Sequence, residues 1–211
     1  MSIILLDIGN VVVSFDFMRF CEGVAEGGVA ESQELYRKYC EGELKKSLDC
    51  GMITPHDYLA MIASDPMTRT MPDSDLIELW QNIFTPLKGA EEGVKLVSRE
   101  HRLWIMSDTD PMHFTFLLEH YPVLRNRERY ILSCESGLLK SSPEAFLHLL
   151  SASGYPAHEF LLIDDKPENC TSAAEVGIKS ILFDSWPGIV EAVCGIARSQ
   201  HPKMIGEHCN E

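Results

Sequence analysis

The sequence predicts an α/β fold: a Rossmann-like, three-layer core built on a parallel β-sheet, with a small all-helical segment inserted after the first strand. Five short apolar runs carry this prediction, because their apolarity is continuous rather than alternating. Such runs are typical of strands buried on both faces of a parallel sheet. Helical segments separate the later runs, as right-handed βαβ units require. The predicted strands are residues 3–6, 103–106, 130–133, 160–163 and 179–183.

The stretch from about residue 16 to residue 87 interrupts the alternation of strands and helices. It contains no convincing strand, and its segments have the pattern of short helices separated by Gly, Pro and Asp. Thr54 followed by Pro55 predicts the start of one helix, because Thr is a good N-cap and Pro fits the first helical position. Apolar residues at helical spacing predict a second helix over residues 74–84.

Proline marks the start of three helices in the second half of the chain. Asp110-Pro111, Ser142-Pro143 and Lys166-Pro167 each place Pro where a helix would begin, the first two behind a good N-cap. Helix N-termini beside strand ends offer free N–H groups and partial positive charge, which favour a bound phosphate. We expect the backbone N–H groups after Ser107 to contact phosphate oxygens.

Composition and charge restrict the class of function. The net charge of −14 argues against nucleic-acid binding, which depends on Lys and Arg neutralising phosphates. The seven cysteines are scattered, which favours free thiols in a reducing compartment. No run approaches the ~20 apolar residues of a membrane span, and no basic leader precedes the first apolar run. We therefore expect a cytoplasmic protein that binds neither membrane nor nucleic acid.

Polar residues collect at the ends of the predicted strands. Asp7 follows the first strand, Ser107 follows the second, Lys140 lies shortly after the third, and Asp164-Asp165 follow the fourth. Ligands of open α/β sheets bind at the carboxyl ends of the strands, so we expect these side chains to share one edge.

Three clustered carboxylates would repel one another unless a cation offset their charge. Oxygen ligands beside a phosphate are the setting that Mg²⁺ prefers. A carboxylate can act as the nucleophile that accepts a phosphoryl group, and a nearby Lys can stabilise the charge that develops. The residues therefore predict Mg²⁺-dependent hydrolysis of a phosphate ester, with Asp7 as nucleophile and Lys140 beside it.

These motifs, in this order, resemble the haloacid dehalogenase-like (HAD) hydrolase superfamily over nearly the whole chain. Asp7-Ile-Gly-Asn-Val11 resembles its first motif, Ser107 its second, Lys140 its third and Asp164-Asp165 its fourth. The helical segment resembles the cap that this family inserts after its first strand. The resemblance implies three parts: core residues 1–15, a helical cap at 16–87, and the remaining core at 88–211.

The Asp-x-Gly-Asn-Val form and the Phe15-Asp-Phe that follows it resemble one subgroup, which includes the bacterial phosphatase of α-D-glucose 1-phosphate. The resemblance implies Mg²⁺ ligation by Asp7, the carbonyl group of Gly9 and Asp165, with Asp164 close by. It further implies a small phosphorylated substrate held by Ser107, Asp108 and Lys140. The protein would be a monomer or a homodimer.

Three positions depart from the family's pattern. Most phosphatases of the superfamily carry a second Asp, the general acid and base, where this chain has Gly9. The subgroup shares that glycine, which leaves protonation of the leaving group unassigned. Asp108 stands where the subgroup has Asn, and a carboxylate there would repel phosphate unless it points away or pairs with a cation. Ser141 replaces the usual Pro after Lys140.

Two other functions stay open at this stage. A haloacid dehalogenase would use the same Asp7 to attack carbon without a metal, although the paired acids Asp164-Asp165 argue against it. A catalytically weak relative would bind a phosphorylated ligand or a partner protein without turnover, as Gly9 and Asp108 allow. A phosphomutase is disfavoured by the missing second Asp. The histidines show no ligand spacing, and Asp110 fits a helix cap better than a catalytic role.

Overall fold

The protein is described by a computed structural model, which covers residues 2–200 and the side chains of residues 2–193. The composition of the tail after about residue 200 predicts a frayed terminus, and this tail lies outside the described range. Seven strands are present in the described residues: β1 (Ile3–Leu6), β2 (Val13–Phe15), β3 (Phe84–Pro86), β4 (Arg102–Ser107), β5 (Tyr130–Leu132), β6 (Phe160–Asp164) and β7 (Lys179–Leu182).

The helices of the first half are α1 (Phe17–Val24), α2 (Val29–Leu35), α3 (Gly42–Asp49), α4 (Pro55–Ala63) and α5 (Asp73–Gln81), with a π-helical turn at Tyr36–Cys40. Those of the second half are α6 (Ala90–Val97), α7 (Pro111–His120), α8 (Ser133–Ser136), α9 (Pro143–Ser153), α10 (Pro167–Glu175) and α11 (Trp186–Gln200). None of the described helices is both long and apolar enough to span a membrane.

The predicted α/β fold is confirmed. Five strands form one parallel sheet in the order β5-β4-β1-β6-β7, which places β1 at its centre. Alternate residues of the central strands feed two hydrophobic clusters on opposite faces: Ile4 and Leu6 pack on one side, Ile3 and Leu5 on the other. Helices cover both faces, which explains why the strand sequences are continuously apolar.

The predicted helix starts agree with the structure. Thr54 accepts a hydrogen bond from the N–H of Asp57 and caps α4, which has Pro55 at its first position. The side chains of Asp110 and Ser142 cap α7 and α9 in the same manner, each followed by Pro. These caps fix where the three helices begin.

Two predictions for residues 16–87 are wrong. The segment was expected to contain no strand, yet Phe84–Pro86 pairs antiparallel with Val13–Phe15. The helix expected over 74–84 ends at Gln81, because the carbonyl group of Ile83 accepts from the N–H of Asp16 and Phe84 joins the two-stranded sheet. Strands of three residues leave too little alternation to distinguish them from the end of a helix.

The helices between Phe17 and Gln81 surround a hydrophobic cluster of their own, separate from the two clusters that flank the sheet. Its largest fully buried side chains are Phe20, Tyr58 and Trp80. The aromatic rings of Phe20 and Tyr58 contact Trp80 with centroid distances of 4.9 and 5.5 Å. The division of the chain into a core and a cap at residues 15/16 and 87/88 stays a prediction.

Candidate active site

The side chains expected at the carboxyl edge of the sheet lie together there. Asp7 directly follows β1, Ser107 ends β4 and Asp164 ends β6, and these are neighbouring strands. Asp7, Ser107, Lys140 and Asp165 all line one cavity of about 370 Å³. The parallel register of β4, β1 and β6 therefore brings distant parts of the sequence to one place.

Lys140 links two of the carboxylates. Its ammonium group lies 2.6 Å from Asp7 Oδ1 and 2.6 Å from Asp164 Oδ2. The three side chains are almost fully buried, with exposed fractions of 3% for Lys140, 8% for Asp7 and 0% for Asp164. One cation thus offsets part of the charge of two buried carboxylates, as the sequence suggested.

Burial and charge act in opposite directions on these groups. Burial raises the pKa of Asp7 to about 7, although the ammonium group of Lys140 opposes the rise. Burial alone would lower the pKa of Lys140, but the carboxylates of Asp7, Asp164 and Asp108 outweigh it and raise that pKa above its ordinary value. Lys140 is consequently a permanent cation, and Asp7 is a carboxyl group whose ionisation depends on further positive charge.

The two adjacent acids at the end of β6 have different surroundings. Asp164 is fully engaged: Oδ2 binds Lys140, while Oδ1 accepts from the backbone N–H of Lys166 and from the side-chain amide of Asn169. Asp165 accepts one hydrogen bond, from the side-chain amide of Asn10 to Oδ2 at 3.0 Å. Its Oδ1 is buried without a hydrogen-bond partner among the described residues.

This arrangement fits a divalent cation bound by oxygen atoms. Asp7, Asp164 and Asp165 each place a carboxylate oxygen within 4.8 Å of the others. A buried carboxylate oxygen without a partner, as at Asp165, is costly unless a cation or water meets it. Asp165 and Asp7 are better placed to bind a cation than Asp164, whose oxygens are already occupied. Gly9, the third expected ligand position, lines the same cavity.

The loop after Ser107 differs in detail from the expected phosphate cradle. The N–H of Thr109 donates to Ser133 Oγ at 2.9 Å, so it does not point to the cavity. Ser133 Oγ in turn donates to the backbone carbonyl of Asp49 at 2.6 Å, which connects this loop to the end of α3. The backbone N–H of Asp108 is still a candidate donor in the loop.

The carboxylate of Asp108 is fixed by a contact with Lys140. This carboxylate accepts from the backbone N–H of Lys140 at 3.1 Å and lies in the field of that residue's ammonium group. Burial nevertheless raises the pKa of Asp108 above its usual range. The side chain therefore fixes the loop that carries Lys140, and this contact offsets part of the repulsion that an acid at this position would exert on phosphate.

The ring of Phe15 occupies the space that a side chain at position 9 would need. A Cβ atom built on Gly9 would lie 2.9 Å from Phe15 Cε1, closer than real Cβ contacts. Phe15 is itself fixed by the pairing of β2 with β3 and by an edge contact with Phe17, whose ring centroid is 5.5 Å away. Position 9 therefore lacks the side chain of the second Asp, and the ring of Phe15 would have to move to make room for one.

Helix α3 also supplies polar side chains to the cavity. Lys45 and Asp49 form an ion pair at 2.5 Å, and their side chains are 14% and 15% exposed. The ammonium group of Lys45 lies 5.2 Å from the centre of the Phe17 ring. All three residues line the cavity that contains Asp7. The sequence analysis did not identify them, although the Lys–Asp spacing of four within a helix is a recognisable signal.

His113 has partners that the sequence analysis did not find. Its Nδ1 lies 2.7 Å from Asp110 Oδ2, and its Nε2 lies 2.8 Å from the backbone carbonyl of Trp80. The ring is stacked on the indole of Trp80 at 4.6 Å. Both ring nitrogens therefore lie beside an oxygen atom, one of a side chain and one of the backbone. The spacing of three between Asp110 and His113 was the available signal.

Solved structures provide fold relatives. The fold is similar to a HAD family enzyme from Bacteroides thetaiotaomicron in complex with magnesium and inorganic phosphate, with 22% identity, a TM-score of 0.74, and 90% of this chain and 98% of that chain covered. A protein from Porphyromonas gingivalis, described as a predicted HAD-like family hydrolase, gives 18% identity, a TM-score of 0.76 and coverage of 94% and 98%.

L-2-haloacid dehalogenase from Xanthobacter autotrophicus is also similar, with 13% identity, a TM-score of 0.59, and 99% of this chain and 92% of that chain covered. No protein-family model matches the chain. The chain therefore has the fold of the HAD enzymes, and at these identities the likeness concerns the fold.

Proposed function

We propose that the protein is a HAD-superfamily phosphatase that hydrolyses a small phosphate monoester through a phosphoaspartate on Asp7. The observation that carries this proposal is the position of Asp7: a buried carboxylate at the end of the central strand, 2.6 Å from the ammonium group of Lys140. A nucleophilic carboxylate needs a nearby cation to stabilise the charge of the transferring group.

The remaining residues of the edge complete the reaction. Asp7 attacks phosphorus, and Lys140 stabilises negative charge on the phosphoryl oxygens as the bond to the leaving group breaks. The hydroxyl group of Ser107 and the N–H of Asp108 hold phosphoryl oxygens. Water then attacks the phosphoaspartate, which releases inorganic phosphate and regenerates the carboxylate of Asp7.

Mg²⁺ is the cofactor that these oxygens suit. Asp7, the carbonyl group of Gly9 and Asp165 would bind it, and Asp164 would position Lys140 and Asn169 nearby. When bound, Mg²⁺ would neutralise charge on the phosphoryl oxygens and offset the repulsion among the acids. The unpartnered Oδ1 of Asp165 supports this assignment, as do the magnesium and phosphate in the similar enzyme from B. thetaiotaomicron.

In this proposal residues 16–87 form the cap, and residues 1–15 and 88–211 form the core. The cavity of about 370 Å³ is lined by Lys45 of the proposed cap as well as by Asp7, and its size suits a small metabolite. Membership of the subgroup that includes the α-D-glucose 1-phosphate phosphatase is part of the proposal, supported by the Asp-x-Gly-Asn-Val motif and Phe15.

Hydrolysis of 4-nitrophenyl phosphate tests the proposal. Its leaving group needs little protonation, so the glycine at position 9 should not mask turnover. Wild-type protein should release phosphate with Mg²⁺ and lose this activity with a chelator, and Asp7→Asn should be inactive in both conditions. Asp16→Asn is a matched control, because Asp16 is an exposed helix cap outside the cavity.

The same experiment separates the alternatives. Activity on a 2-haloacid that persists with a chelator would identify a dehalogenase. Phosphate binding to folded wild-type protein without turnover would identify a binding protein, the alternative that Gly9 and Asp108 leave open.

A further inference from the structure

The cavity has two chemically different sides. Asp7, Lys140 and Asp165 occupy the sheet side, where the phosphoryl group would bind. Lys45 and Asp49 lie on the helical side, as an ion pair one helical turn apart with 14% and 15% of their side chains exposed. The exposed pair of Lys95 with Glu91 has the same spacing, but its side chains are 63% and 73% exposed.

A largely desolvated ion pair inside a cavity has hydrogen-bond donors and acceptors that the pair itself does not use. An ammonium group has three N–H donors and a carboxylate about four acceptor positions, so one contact between Lys45 and Asp49 leaves most of them for a ligand. Exposed pairs such as Lys95–Glu91 satisfy these positions with bulk water, whereas Lys45 and Asp49 face a confined space.

The pair is held at a fixed place next to the phosphoryl side. The backbone carbonyl of Asp49 accepts from Ser133 Oγ at 2.6 Å, and Ser133 Oγ accepts from the N–H of Thr109 at 2.9 Å. Two hydrogen bonds through Ser133 thus connect the end of α3 to the loop that follows Ser107. The leaving group of a substrate held at Asp7 would share the cavity that Lys45 and Asp49 also line.

The chemistry of the pair identifies what it suits. Adjacent hydroxyl groups match a neighbouring donor and acceptor, since one accepts from Lys45 while the other donates to Asp49. The ring of Phe17, 5.2 Å from the Lys45 ammonium group, offers an apolar surface for C–H groups. A second phosphate group at this pair would meet the carboxylate of Asp49, in a cavity where Lys46 and Lys166 are balanced by Asp108, Asp165 and Glu168.

We propose that Lys45 and Asp49 form the leaving-group subsite and select a neutral leaving group that carries adjacent hydroxyl groups, as a sugar or polyol does. This inference rests on the proposed function, because it places the phosphoryl group at Asp7. Lys45 and Asp49 act on the part of the substrate that does not react, and they set specificity through binding.

Binding of non-hydrolysable phosphonates tests the subsite independently of turnover. The probes are hexose phosphonates, of the 1- and 6-series, and n-hexylphosphonate, titrated calorimetrically into the full chain with Mg²⁺. Wild-type protein should bind at least one hexose phosphonate about tenfold or more tightly than n-hexylphosphonate, as expected from charge-assisted hydrogen bonds. The measured quantity is the ratio of the two dissociation constants, which cancels changes at the phosphoryl side.

Lys45→Met and Asp49→Asn should each reduce this ratio to near one, and Lys95→Met, the control with the same helical spacing, should retain it. Circular dichroism verifies folding, and the Asp49 variant decides if the Lys45 variant does not fold. Equal binding of sugar and alkyl phosphonates by wild-type protein would overturn the inference. So would a bisphosphonate that binds more tightly than every monophosphonate and gains affinity in Asp49→Asn, because that result identifies a second anion site.

The two proposals can fail separately. If wild-type protein does not hydrolyse 4-nitrophenyl phosphate but still prefers a hexose phosphonate to n-hexylphosphonate, the phosphatase proposal is rejected and the subsite proposal stands. If wild-type protein hydrolyses 4-nitrophenyl phosphate but binds both phosphonates equally, the phosphatase proposal stands and the subsite proposal is rejected.

Discussion

The ammonium group of Lys140 lies 2.6 Å from the carboxylate of Asp7, and both side chains are almost completely buried. A second carboxylate, that of Asp164, binds the same ammonium group at 2.6 Å. Carboxylates at the ends of two strands, β1 and β6, therefore hold the ammonium group of Lys140 in place. In turn, Lys140 offsets part of their negative charge. This relationship determines what substitutions at the site should do.

Lys140→Met should abolish most turnover. The variant removes the cation that stabilises the transferring phosphoryl group, and we expect kcat on 4-nitrophenyl phosphate to fall by at least about 100-fold. Lys95→Met, which removes an exposed ammonium group far from the cavity lining, should leave kcat unchanged. A Lys140→Met protein that is folded and retains more than about a tenth of wild-type kcat would show that the reaction does not need this cation.

Mg²⁺ affinity should depend on pH. Burial raises the pKa of Asp7 to about 7 in the metal-free protein, so Asp7 is mostly protonated below that pH. A carboxyl group must lose its proton to bind the cation, and binding should therefore weaken as the pH falls from about 7 to 5 and release protons. Calorimetry in buffers of different ionisation enthalpy measures both effects. Constant affinity and no proton release over this range would contradict the raised pKa.

Turnover should depend steeply on the leaving group. Because the ring of Phe15 closes the place of a general acid at Gly9, esters of poorly acidic alcohols should react slowly. The measurement is kcat/KM for aryl phosphates of graded leaving-group pKa. A shallow dependence would mean that another side chain or water donates the proton.

Gly9→Asp examines the same space directly. Alone it should lower thermal stability and activity, since its Cβ would contact Phe15. Combined with Phe15→Ala, which vacates that space, it should recover stability relative to the single variant. Equal melting temperatures of Gly9→Asp in the presence and absence of the Phe15 substitution would show that the ring moves aside without cost.

Much of this architecture could be predicted because the relevant signals are local. Continuous apolar runs located all five strands of the main sheet, and Pro after Asp110 or Ser142 located helix starts to within a residue. The grouping of the site residues at one edge could be predicted because the strands of a parallel sheet all have their carboxyl ends on the same side. Asp7, Ser107, Lys140 and Asp165 line one cavity for that reason.

The missed features depend on contacts between parts of the chain that no local pattern connects. The three-residue strand at Phe84–Pro86 exists because Val13–Phe15 pairs with it. Nothing near Gly9 indicates that the ring of Phe15 fills its side-chain space. No local pattern indicates the contacts of His113, because one of its acceptors, the carbonyl group of Trp80, is a backbone atom from another helix.

The pair of Asp110 and His113 provides a stability prediction with an internal control. Asp110 caps α7 and its carboxylate also lies 2.7 Å from His113 Nδ1, whereas Asp16 caps α1 with the same pattern of backbone contacts but is exposed. Asn is as good an N-cap as Asp, so Asp16→Asn should change the free energy of unfolding by less than about 0.5 kcal/mol. Asp110→Asn should cost about 3 kcal/mol, because it removes the buried carboxylate that pairs with the ring of His113.

The cost of Asp110→Asn should also depend on pH. Burial alone would raise the pKa of Asp110, but pairing with His113 outweighs it and holds that pKa below its ordinary 3.8. A depressed folded-state pKa contributes stability above the unfolded value, and this contribution is lost as the pH falls through the folded one. Urea unfolding of wild-type protein and Asp110→Asn should therefore differ fully at pH 5.5 and progressively less below pH 3.8. A difference that stays constant to pH 2.5 would assign the effect to altered packing around Trp80 instead of to charge.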